Sequence, residues 1–202
     1  MNPIAPPGRL SLRISLDNVE PAIWRRVEVN DDLTFYQLHR VIQQAMGWGD
    51  YHMHEFEVAR QRVGTRSAED AMFMVENEMI PERGTRLGEL LGRRRKFRYW
   101  YDFGDDWWHT ITVERRLPAD PEAHPAQLVA GENACPPEDC GGIWGYADLL
   151  DSLSDPASEG YADAREWMGN DFDPTAFDLA AHAKRVAGVI RRPARAKKAA
   201  PE

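Results

Sequence analysis

An α+β fold is predicted for this chain by three observations. Apolar residues recur every second position at the start, change to helical spacing near residue 34, and return to period two near residue 52. Two runs rich in aromatic and β-branched residues, "KFRYWYDF" and "WWHTITVERR", flank a "GDD" turn and read as a strand hairpin. The last third carries only helical patterns. The expected architecture is a mixed β-sheet with a β-grasp-like strand-strand-helix-strand start, a strand hairpin, and a helical C-terminal third.

Each element follows from its residues. "RLSLRISL" alternates Leu10, Leu12, Ile14 and Leu16 against Arg9, Ser11, Arg13 and Ser15, a half-buried strand. After Pro21, "IWRRVEV" places Ile23, Val27 and Val29 on one face, giving a long-looped hairpin. In "TFYQLHRVIQQAMGWG", Phe35, Leu38, Val41, Ile42, Ala45 and Met46 form one apolar stripe. Thr34 with Gln37 is a capping box, and Gly47 is a C-terminal stop. "HMHEFEVA" reads as a strand, residues 63–84 as loop with at most scraps of structure, and "TRLGELLG" as a short helix capped by Thr85. "IWGYADLLDSL" is a helix broken at Asp155 and Pro156, and "GYADAREWMG" one that ends at Gly169. "FDPTAFDLAAHAKRVAGVI" is a helix capped by Asp173 with Pro174 at its first position. Trp100 and Trp108 lie opposite Tyr99 and Trp107, so both sheet faces are expected to be covered, one by the C-terminal helices.

Composition bounds the function. With 202 residues, 43% of them hydrophobic, the chain suits one domain over residues 9–190. Residues 1–8 are expected to be a flexible N-terminus and 191–202 a basic disordered tail. The formal net charge of −8 argues against phosphate neutralisation by the body, leaving the tail as a weak contact for nucleic acid. No apolar run is long enough for a membrane span, and no signal-peptide layout opens the chain. A cytoplasmic location is expected, where two cysteines are more often thiols or ligands than a disulfide.

Three histidines are predicted to face inward. His52 and His54 share a strand face with Phe56 and Val58, and His109 shares one with Trp107, Ile111 and Val113. An H-x-H pair can chelate one ion. With His109, Cys135 or Cys140 it would supply the three or four ligands that zinc or another divalent metal takes. The same histidines can instead hydrogen-bond in the core, or serve in acid–base catalysis. "ACPPEDCGG" holds the two cysteines. Gly141 and Gly142 let the chain turn into a helix, placing Cys140 near a helix N-terminus that favours thiolate, while Glu138 and Asp139 oppose it. A Cys135–Cys140 disulfide is sterically conceivable, but a reducing compartment works against it.

"EPAIWRRVEV", "MGWGDYHMHEF", "YDFGDDWWHTITVE" and "ACPPEDCGGIWGYADLL", in this order, resemble the plasmid Ri Orf-3-like family, also labelled transposon-passenger TnpR-like. The likeness runs from about Arg9 to about Ala180. It implies a compact α+β protein of bacterial chromosomes, plasmids and mobile elements, with no agreed activity. The signature segments fall here on His52, His54, Asp102, Asp105, His109, Pro137, Glu138, Asp139, Gly141 and Gly142. No serine-recombinase nucleophile segment or helix-turn-helix is recognisable, so recombination is not expected. The expectation is a ligand- or partner-binding domain, its pocket lined by His52, His54, Tyr101, Asp102, Trp107, Asp139, Gly141 and Gly142. The alternative is a metal-dependent hydrolase drawing on Asp105, His109, Glu138 or Cys140 for catalysis. A further alternative is a DNA-linked accessory acting through the tail.

Overall fold

The structure is a computed structural model, and it describes residues 7–65, 79–169 and 171–190. The chain runs β1 (Arg9–Leu16), β2 (Trp24–Asn30), α1 (Phe35–Met46), β3 (His54–Val58), β4 (Gln61–Gly64), β5 (Ile80–Pro81) and α2 (Leu87–Leu91). It continues through β6 (Lys96–Tyr101), β7 (Trp107–Leu117), β8 (Ala126–Glu132), α3 (Gly142–Ser154), α4 (Tyr161–Met168) and α5 (Leu179–Val189). The fold is α+β: one mixed sheet in the order β5-β4-β3-β6-β7-β1-β2-β8, antiparallel except for β4–β5. The opening strand-strand-helix-strand order is present. The central hairpin of β6 and β7 inserts between β3 and the first hairpin.

Alternation dictates the core. Leu10, Leu12, Ile14, Val27, Val29, Tyr99, Tyr101, Trp107, Ile111 and Val113 point to one face and are buried. Helix α1 lies on that face, with Phe35 packed edge-on to Phe56 (5.2 Å) and Phe97 (6.2 Å). Each such side chain contributes about 1.5–3 kcal/mol on burial. The predicted capping box of α1 is complete, Gln37 N donating to Thr34 Oγ1 and Thr34 N to Gln37 Oε1, and Gly47 closes the helix at φ 98°.

Within residues 63–84 the described scraps of structure are the end of β4, paired with β3, and β5, paired with β4. Residues 66–78 lie outside the described residues, as do the two chain ends at 1–6 and 191–202. Several elements depart from expectation. Strand β8 has only Ala126 and Leu128 buried, too few inward residues to announce a strand. Helix α2 starts after Arg86, while the Thr85 hydroxyl donates to Pro81 O instead of capping it. Asp173 holds a turn by accepting from Thr175 N, and the cap of α5 is Asp178, which accepts from Ala181 N. Helix α5 packs on α1 and β8. The opposite face of the sheet carries half-buried stacks, Trp100 on Trp108 (4.9 Å) and Arg98 over Trp108 (3.8 Å).

One glycine in α3 is sterically obligatory. A Cβ on Gly145 would stand 1.9 Å from the carbonyl oxygen of Cys140, and a backbone atom has nowhere to move. Gly145→Ala is therefore expected to destabilise the fold by about 3 kcal/mol in urea titration. A loss below about 1 kcal/mol would show that α3 shifts freely against the cysteine turn.

Candidate functional site

Residues 134–142 form a hub against which three other segments close. Trp48 Nε1 donates to Pro136 O (2.8 Å), fixing the first proline beside the end of α1. The Glu138 carboxylate accepts from Gly49 N (2.7 Å) and from the Tyr101 hydroxyl, which itself accepts from Tyr51 N (3.2 Å). Burial and the Glu138 charge hold the Tyr101 phenol far above its ordinary pKa. Gly141 N donates to Asp105 Oδ2 (3.2 Å). A Cβ on Gly142, at φ 68°, would lie 2.3 Å from Asp105 O, so the 102–106 turn packs directly on glycine.

Both cysteines belong to this hub. Both are free, and burial pushes each thiol up to about 12. For Cys140 the nearby Asp105 charge adds to that rise, outweighing the expected help from the helix N-terminus. Neither thiol belongs to a cluster of potential metal ligands among the described residues. Protonated thiols are poor nucleophiles and poor ligands at neutral pH.

The three predicted histidines do not converge. His52 precedes β3 and stands between two carboxylates, its Nε2 3.5 Å from Asp102 Oδ2 and 3.2 Å from Asp139 Oδ1. His54 turns the other way: its Nε2 lies 2.7 Å from Glu82 Oε2, and Glu82 Oε1 accepts from the Thr65 hydroxyl. Burial raises the Glu82 carboxyl, but these hydrogen bonds outweigh it and hold the group low. His109 is fully buried against Trp48 (5.4 Å) and Tyr99 (5.2 Å), and neither ring nitrogen meets a partner in hydrogen-bond geometry. An ion held jointly by His52, His54 and His109 therefore has no place in this fold. Tyr101 and Trp107, expected to line a pocket, are core residues.

A fourth histidine was not anticipated. His39 of α1 stacks on His54, centroids 3.4 Å apart and planes within 1°. Its neighbours fix a closed ring of hydrogen bonds. Gln43 Nε2 donates to the Tyr99 oxygen (3.0 Å), Tyr99 O–H donates to His39 Nδ1 (2.8 Å), His39 Nε2–H donates to Asp50 Oδ1 (2.8 Å), and Asp50 N donates to Gln43 Oε1 (3.2 Å). Burial, and then the neighbouring His54, push the His39 pKa down to about 3, so the ring works with a neutral imidazole.

On its other side the hub walls a cleft of about 470 Å³. Met46, Trp48, Pro136, Pro137, Trp167 and Phe177 give it apolar walls. Its floor holds Arg25, whose guanidinium lies 3.8 Å from the Phe177 ring centroid, and its rim carries His182 and Arg185. The two lining carboxylates are already engaged, Glu138 by Gly49 and Tyr101, Asp178 by Ala181 N.

The model of the plasmid pRiA4b ORF-3-like protein family matches residues 9–181, which include the hub and all four histidines. The uncharacterized protein y4hQ of Sinorhizobium fredii (strain NBRC 101917 / NGR234) is 37% identical over 175 residues, covering 83% of this chain and 85% of that protein. Among solved structures, a protein of unknown function, MM3350 from Methanosarcina mazei Go1, superposes with a TM-score of 0.77 at 34% identity. That alignment covers 86% of this chain and 96% of the other. With the match extending from β1 into α5, this chain belongs to the plasmid pRiA4b ORF-3-like family.

Proposed function

We propose that the protein is a binding domain for a small organic anion with an apolar or aromatic body, taken up in the cleft beside the cysteine hub. The observation that carries this reading is the pairing of apolar walls with a cationic rim whose carboxylate neighbours are already occupied. At about 470 Å³ the cleft falls in the range of ligand sites, which are mostly apolar with a few placed polar groups. Arg185 enters no ion pair among the described residues, and its guanidinium stands over Gly47 at the end of α1. An anionic head there would meet an exposed guanidinium, while its body would rest on Trp167 and Phe177.

The dispersal of His52, His54 and His109 disfavours the hydrolase alternative in the form of one ion shared by all three. The tail that the DNA-linked reading needs falls outside the described residues. No described helix is long and apolar enough to cross a membrane. Two protonated free thiols suit the reducing cytoplasm we assign it.

The test is titration with 8-anilinonaphthalene-1-sulfonate, an aromatic anion, followed by its emission and by quenching of Trp167, which is half exposed in the cleft. Saturable binding at one site, weakened about tenfold by Arg185→Glu, is expected for loss and reversal of one partly exposed charge contact. Binding that ignores Arg185→Glu would remove this reading.

A further inference from the structure

The carboxylates that face His52 Nε2 do not hydrogen-bond to it. A charge-assisted N–H···O⁻ bond is about 2.7–2.9 Å long. The two carboxylate oxygens facing His52 Nε2 stand at 3.5 and 3.2 Å, and neither is in hydrogen-bond geometry, although that nitrogen is shut off from solvent. Such separations also fit atoms that share an ion. Two ligand atoms about 2.0–2.2 Å from one tetrahedral centre stand about 3.4 Å apart. One nitrogen of His52 and one oxygen each of Asp102 and Asp139 all fall within 4.8 Å of one another.

The three groups are held for this from outside. Asp102 sits at φ 54° and spends Oδ1 on Gly104 N (3.0 Å) and Asp105 N (3.3 Å), which leaves Oδ2 toward His52. The His52 ring is set edge-on against Tyr101 at 5.8 Å. Asp139 sits at φ 59° between two anchors of the hub, Glu138 on Tyr101 and Gly141 on Asp105. Asp102 is nearly buried and Asp139 is 72% exposed, so one side of the trio is walled by protein and the other opens to water.

We propose that His52, Asp102 and Asp139 form a three-ligand site for a divalent first-row metal ion such as Zn²⁺ or Mn²⁺, with its remaining positions open to solvent. One imidazole with two carboxylates suits these borderline ions better than a thiolate-seeking one. Three protein ligands with an open position is the arrangement of sites that keep room for water or substrate. The second cluster of possible ligands, His39 with Asp50 and His54, is unsuited. Its rings are parallel and 3.4 Å apart, so an ion about 2.1 Å from a nitrogen of each would lie far out of at least one ring plane and off its lone pair. Its hydrogen bonds of 2.7 and 2.8 Å already satisfy it.

The test is titration of untagged, chelator-treated full chain with Co²⁺, read by its visible absorption, and with Zn²⁺ by calorimetry. One equivalent is expected to bind. His52→Ala and Asp139→Asn should each weaken it about tenfold or more. Asp139 is exposed, so its variant should keep the metal-free melting temperature and report on binding alone. The proposal is overturned by a less than twofold change in the two variants. It is equally overturned by loss in His54→Ala but not in His52→Ala, or by a thiolate-to-cobalt charge-transfer band, which would move the ion to a cysteine.

Discussion

Acidification from pH 7 to pH 4 is expected to remove about 6 kcal/mol of stability through two buried imidazoles. Burial holds both His39 and His109 at about 3, an effect that the backbone at Tyr99 and Trp107 offsets only in part for His109. In the unfolded chain each returns to about 6.5. Between these values the unfolded state carries protons that the fold refuses, so stability falls as pH drops below about 6.5 and the loss levels off near pH 3. Each group contributes at most about 1.4 kcal/mol per pH unit. Glu82, held low by His54 and Thr65, adds a loss once pH falls through its depressed value, and Asp50, raised by burial, opposes it. The expected loss rivals the whole stability of a typical domain, so the chain should unfold in mild acid. Urea titrations at several pH values measure the slope directly, and a flat profile above pH 4.5 would contradict it. His109→Leu separates the contributions. It removes an imidazole that the fold holds neutral, so it should about halve the slope.

That expectation shows what the sequence discloses and what it hides. The inward direction of His109 is legible because a strand has a period of two and Trp107, Ile111 and Val113 declare its apolar face. Likewise Thr34, Gln37 and Gly47 announce both ends of α1 through local hydrogen bonds alone. His39 was equally legible in principle: it lies four residues after Phe35 and three before Ile42, on the buried stripe. The apolar stripe of α1 passes over such a polar residue, as the apolar face of β2 passes over Arg25 between Ile23 and Val27. The separation of His52 from His54 was not legible. It depends on β3 beginning at His54, so that His52 lies in the loop before it, and on the 102–106 turn rising to meet it. β8 escaped for a related reason, since an edge strand with two inward residues takes its shape from its partner β2.

Three of the four sequence segments that mark the family meet at one place, around residues 134–142. The loop after α1, the β6–β7 turn and residues 134–142 have few apolar residues to bury. They are joined instead by Trp48 to Pro136, Tyr101 to Glu138, and Gly141 to Asp105. Polar links of this kind are directional, so they fix positions more tightly than apolar contact does. One hub can then present a cleft on one side and a set of carboxylates with His52 on the other.

Arg25→Ala is expected to cost about 4 kcal/mol, because the guanidinium is a buried cation that four backbone carbonyls rely on. Nε donates to Ala45 O (2.9 Å), Nη1 to Trp24 O (2.8 Å) and Glu132 O (2.7 Å), and Nη2 to Asn133 O (2.9 Å). Ala45 lies in the last turn of α1, where carbonyls lack helical partners and the dipole favours a cation. One side chain thus joins the end of α1, strand β2 and the exit of β8. Burial lowers its pKa without a carboxylate to compensate, so these carbonyls supply the solvation that water would give. Arg25→Lys keeps the charge but cannot reach four acceptors in one plane, and should lose about 2 kcal/mol. Both variants also take the guanidinium from beneath Phe177, so the cleft should bind its aromatic anion less tightly even where the fold survives. Urea denaturation gives the first quantity, and titration of the folded Lys variant the second. A loss below 1 kcal/mol for Arg25→Ala would mean that water enters and satisfies the carbonyls, and that the cleft floor is wetter than the packing of Arg25 under Phe177 implies.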